Sequence, residues 1–113
     1  MINGVGPDMP IIINDKGGKQ SKSEYRFDLV DTKAIFGMCH VLNNGAIKYG
    51  DNNWRKIPTQ EHINHALIHL YAYLAGDRQD EHLTHAMCRV MFAIGAEPTD
   101  DILLATGTKA GDI

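Results

Sequence analysis

The chain has 113 residues, 43% hydrophobic and 22% charged, which suits one soluble globular domain. It holds no apolar run near the ~18 residues of a membrane span, and its N-terminal Ile11-Ile12-Ile13 run lacks a basic leader, so a cytoplasmic location is expected. A net charge of -3 with a pI near 6.0 gives no global attraction to a nucleic acid polymer, so any anionic ligand must meet a local basic patch. Cys39 and Cys88 stand alone, which fits a reducing compartment and argues against a zinc knuckle.

Residues 1–14 are expected to be an arm, with Gly4, Gly6, Pro7 and Pro10 around a short strand at the triple isoleucine. Residues 14–26 are polar and carry Gly17, Gly18, Lys16, Lys19, Lys22 and Arg26, a composition that predicts a loop. Its Gly-Gly-Lys-Gln-Ser run lacks the Walker spacing, yet accessible backbone N–H groups and four cations would suit a phosphate. Asp31 is a fitting cap, and Ala34, Ile35, Met38, Val41 and Leu42 recur at helical spacing. A helix is therefore predicted over 32–44, ending at Asn43-Asn44-Gly45 or running on to Tyr49.

A second polar loop follows at 48–56. The single tryptophan, Trp54, sits there between asparagines and cations. As a ligand site, Trp54 would stack a purine base and Asn53 would read its edge, while Lys19, Lys48, Arg55 and Arg26 would neutralise phosphate. As a structural element, Trp54 would staple the loop to the helices.

The rest of the fold is organised by a repeat. Glu61-His62-Ile63-Asn64-His65-Ala66-Leu67 returns 20 residues later as Glu81-His82-Leu83-Thr84-His85-Ala86-Met87. Helices are predicted over 60–75 and 81–94, and the short connection between them makes an antiparallel hairpin. Ile63, Leu67, Leu70 and Leu74, with Leu83, Met87, Val90 and Ile94, are expected to be the core faces. A second stripe, ~100° round, holds His62, His65, His69 and Tyr73 on one helix and His82, His85 and Arg89 on the other. Arg89 is counted with the ligand-binding residues. The fold class expected is all-α, a small bundle with a helical nucleotide-binding domain at 15–96 and a loose tail at 97–113. The far histidine pair, His62 and His65, would meet the near pair of a second chain, so a homo-oligomer is expected.

Taken together, Gly17-Gly18-Lys19-Gln20-Ser21, Tyr25 to Leu29, Gly45 to Trp54, His65 to Gly76 and Asp80 to His85 resemble a phage-borne family, the dATP/dGTP diphosphohydrolase N-terminal domain. The resemblance implies a small helical protein of phage or prophage origin that handles purine nucleotides. It carries over to Lys48, Tyr49, Asn53 and Trp54 in the loop, to His69, and to Asp80, His82 and His85. Two positions depart. Ile68 stands where the family has arginine, and the acidic pairs by which all-α pyrophosphohydrolases hold magnesium are interrupted, Glu61 being followed at that spacing by Asn64 and Glu81 by Thr84.

Two functional readings follow. In the first, His69, His82 and His85 with Asp77 or Asp80 hold a divalent metal (zinc, manganese or magnesium) for hydrolysis of a purine nucleotide to monophosphate and pyrophosphate. In the second, the chain is a non-enzymatic sponge for a cyclic-nucleotide or ADP-ribose-type immune signal, with no need of a metal. A purely structural protein ranks third.

Overall fold

A computed structural model describes residues 2–97; beyond Glu97, the expected tail lies outside the described residues. The chain divides into an N-terminal unit that ends at Val30 and a helical unit that begins at Asp31.

In the N-terminal unit, β1 (Ile11–Ile13) pairs antiparallel with β2 (Lys19–Ser21), Ile11 opposite Ser21 and Ile13 opposite Lys19. The fold is thus helical with one small ribbon, and part of the predicted 14–26 loop is strand. Asn14 builds the turn. Its Oδ1 accepts from the backbone N–H of Lys16 at 3.0 Å and of Gly18 at 2.8 Å, and its carbonyl accepts from Gly17 at 3.0 Å. Gly17 supplies the positive φ of 80°, and a Cβ on Gly18 would lie 2.8 Å from the Asn14 amide. These two glycines therefore close a hairpin. Their N–H groups, expected to be open to phosphate, are spent on Asn14.

The helical unit holds α1 (Thr32–Tyr49), α2 (Thr59–Leu74) and α3 (His82–Ala96). Asp31 caps α1 as predicted, accepting from Ala34 N–H at 2.8 Å. The helix passes through Gly45 and stops only at Gly50, whose φ is 97°. It is thus longer than the 32–44 segment, because one glycine costs less than the turns that follow it gain. Asn52, left-handed at φ 60°, then turns the chain into a 3-10 segment at Asn53–Lys56. Gly76, φ 95°, ends α2, and Arg78 covers that end by donating to the carbonyls of Tyr73 and Asp77 at 2.8 and 2.9 Å.

The hairpin of α2 and α3 forms as predicted, but the stripes exchange roles. The buried residues of α2 are His62 and Ala66, and those of α3 are His82, Ala86, Cys88 and Ala93. Positions 62, 66, 69 and 73 face 82, 86, 89 and 93, a spacing of four, three and four that forms a helix–helix seam. The stripe expected to be core is outside: Ile63, Leu67, Leu70, Leu83, Val90 and Ile94 are 38 to 62% exposed and Leu74 is 77% exposed. Alanines in the seam let the two helices approach, and the long aliphatic stripe is left about 100° round. The third helix, α1, lies on another side of α3, with Gly37 opposite Thr84 and the Cys88 thiol donating to the Met38 carbonyl at 3.7 Å. Burial pushes that thiol up to about 11, so Cys88 stays a packed thiol. Among the described residues no helix is long and apolar enough to cross a membrane.

Candidate functional site: a polar seam between two helices

At the start of α2, His62 is fully buried. Its Nε2–H donates to the Trp54 carbonyl at 2.9 Å, and the Arg89 guanidinium donates to its Nδ1 at 3.1 Å. Both ring nitrogens are thus satisfied, and the partners set the tautomer. Phe92 meets the His62 ring edge to face at 5.3 Å and stacks on Trp54 at 4.8 Å with 8° between planes. Gly95 makes room for this: a Cβ there would come within 2.9 Å of Trp54 Cη2. The helix runs past Gly95 to Ala96, so this glycine seats the tryptophan rather than ending the helix.

The second indole face is also covered, by Arg55 with its guanidinium carbon 4.3 Å from the ring centroid. A base that stacks on Trp54 must therefore take the place of Arg55. Asn53 is half-buried in the same turn. Lys48 lies 5.1 Å over the Tyr49 ring, both exposed at the end of α1. Lys19 and Arg26 belong to the N-terminal unit, where Lys19 is in β2 and Arg26 pairs with Asp28 at 2.7 Å.

At the other end of the seam the short connection brings together five of the expected site residues, His69, Asp77, Asp80, His82 and His85. His82 Nε2–H donates to the Asp77 carboxylate. With His82 neutral, its Nδ1 is an acceptor, and the Nδ1–H of His69 donates to it at 3.0 Å. His85 stacks on His69 with centroids 4.9 Å apart, and its Nε2 is 3.3 Å from Asp80 Oδ1. Burial, then the neighbouring His85 and His82, hold the His69 imidazole below its usual 6.5. The Asp80 carboxyl is held below its ordinary range, first by the Glu81 N–H it accepts at 2.8 Å and then by the histidines. Both shifts favour forms with a lone pair available: neutral imidazole and ionised carboxylate.

One ligand atom each from His69, Asp80 and His82 lies within 4.8 Å of the other two. Two imidazoles and one carboxylate suit zinc or manganese better than magnesium, which prefers oxygen. The two facing Nδ1 atoms, 3.0 Å apart across a shared proton, are close to the ~3.3 Å that two nitrogens adopt on one tetrahedral metal. Asp77 behind His82 supplies the outer carboxylate that fixes a ligating imidazole. His85, expected as a ligand, lies instead against Asp80 and the His69 ring and is not one of the three. Sequence reasoning missed the burial of His62 and the roles of Phe92 and Gly95; the four-three-four recurrence of His, Ala and Arg was the available signal for the seam.

Among known families, the model described as dATP/dGTP diphosphohydrolase, N-terminal, matches residues 14–102. No curated protein and no solved structure matches. Since the match takes in the whole described helical unit and most of the 113 residues, the chain belongs to the dATP/dGTP diphosphohydrolase N-terminal family.

Proposed function

We propose that this chain binds a purine deoxynucleoside triphosphate over the outer edge of the seam and hydrolyses it to monophosphate and pyrophosphate with a divalent transition metal held by His69, Asp80 and His82. The observation that carries this reading is the His69–Asp80–His82 group backed by Asp77. Family membership points to the same substrate class. When bound, the metal would polarise a phosphate oxygen and lower the pKa of a bound water.

The chain's own residues bind and orient. His62 and His69 are seven positions apart, about 10 Å along α2, a distance comparable to that from base to outer phosphates in a nucleoside triphosphate. The base takes the Trp54 face now under Arg55, with Asn53 at its edge. Arg55, thus displaced, joins Lys48 and Tyr49 at the mouth of the site. Arg89, anchored on His62 and close enough to depress His69 electrostatically, faces the phosphates midway. In the reaction, water oxygen bonds to the α-phosphorus, the bond from that phosphorus to the bridging oxygen breaks, pyrophosphate leaves, and the water's proton passes to solvent. The protein acts in the cytoplasm, that of the host if it is phage-encoded.

The test is to incubate purified protein with dATP, dGTP and a cyclic dinucleotide, with and without manganese, then denature it and separate the small molecules by chromatography. Monophosphate and pyrophosphate formed only with metal are expected. Intact nucleotide released only on denaturation would replace hydrolysis by the sponge reading.

A further inference from the structure

The protomer is inside out. Among the described residues, no leucine, isoleucine, valine, phenylalanine, methionine or tryptophan is buried; the buried apolar residues are Ala66, Ala86, Cys88 and Ala93. Such small side chains contribute little burial energy. Seven large aliphatic residues of α2 and α3 instead share one exposed surface. Because α2 and α3 are antiparallel and repeat one another, the stripe of Ile63, Leu67, Leu70 and Leu74 and the stripe of Leu83, Met87, Val90 and Ile94 fall on the same side of the hairpin. Leu70 lines one apolar groove with Leu83, Met87, Val90 and Ile94. No charged residue interrupts either stripe.

We propose that this face is an interface with a second copy of the chain, two hairpins packing into a four-helix core. The area fits: seven of these side chains, 38 to 77% exposed, leave on the order of 600 Å² per protomer, most of the ~800 Å² that each partner gives to a standard interface. The symmetry fits as well. The 20-residue repeat gives the face two nearly equivalent helical ridges, so a two-fold axis sets like against like, as an isologous interface requires. A face without charge has its best complement in another face without charge, and this chain carries one. The stripes lie about 100° round each helix from the polar seam, so pairing through them uses none of the residues His62, His69, His82 and Arg89. The proposal does not depend on nucleotide chemistry.

The experiment is sedimentation equilibrium of the full chain at micromolar concentration, with thermal unfolding followed by circular dichroism over a concentration series. A mass of at least twice 12.5 kDa and an unfolding midpoint that rises with concentration are expected. The double variant Leu70→Glu/Val90→Glu should associate more weakly by on the order of a hundredfold, since it buries unpaired carboxylates. Should that variant fail to fold, the wild-type concentration dependence decides. A single-chain mass with native helicity and a fixed midpoint overturns the proposal, and so does a folded double variant that keeps the wild-type mass.

Discussion

The two sides of the α2–α3 hairpin are made from the same repeat and differ in almost every physical respect. On the seam side, His62, His69, His82 and Arg89 are joined by directed bonds, His62 to the Trp54 carbonyl and Arg89, His69 to His82, and His82 to Asp77. Along the neighbouring stripe, seven aliphatic residues from Ile63 to Ile94 are 38 to 77% exposed. Directed bonds fix orientation, and apolar area supplies free energy; here one hairpin assigns them to faces about 100° apart. A helix pair that spends its interior on polar groups retains a preorganised site at the expense of a core. It then has to find its stabilisation elsewhere.

Breaking the polar side at its ligand end should have the largest effect. His82→Ala should lower transition-metal affinity by more than about a hundredfold, while Asp77→Asn, which leaves the ligands in place, should lower it about 10- to 100-fold. Equilibrium dialysis with metal quantified by mass spectrometry reads both. Equal effects of the two variants would contradict the division into ligand and outer carboxylate.

Breaking the same side at its other end tests structure rather than chemistry. His62→Leu leaves the Trp54 carbonyl and Arg89 without their buried partner and should cost about 3 kcal/mol of stability by denaturant unfolding. Gly95→Ala places a Cβ against Trp54 Cη2 and should cost about 1 to 3 kcal/mol, with a change in tryptophan fluorescence. A Gly95→Ala protein as stable as wild type would remove Trp54 from its seat on α3.

The smallest effect is the response to pH. The His69 imidazole lies below its usual 6.5, held there by burial and by His85 and His82, so the folded metal-free chain binds a proton less readily than the unfolded one. Its contribution is full above 6.5 and is lost as pH falls through 6.5 towards the lower folded value. A modest fall in unfolding midpoint below pH 6.5 is expected in wild type, and His69→Gln should reduce it.

The elements were legible from local chemistry: the Asp31 cap, the helical spacing after it, and the repeat that forced a hairpin through a short connection. The gathering of His69, Asp80 and His82 was legible for the same reason, because antiparallel neighbours juxtapose the end of one helix and the start of the next. Which stripe faces inward was not legible. Periodicity reports that Leu67 and His69 lie on different faces of α2, and hydrophobicity then favours the leucine as core, but that rule presumes a core within one chain. The turn at Asn14 and the notch at Gly95 were equally hidden. Both depend on atoms brought together by folding: the Asn14 side chain onto three N–H groups, and Trp54 across some forty residues onto α3.

The central claim, that the polar seam is a metal-assisted nucleotide site, is tested most directly by titrating metal-free wild-type chain and the His82→Ala variant with manganese or zinc in a calorimeter, with circular dichroism as the check on folding. Binding of about one ion per chain in wild type, lost in the variant at unchanged helicity, is the result expected. No binding by the wild type, or the same binding by a folded His82→Ala protein, would contradict it.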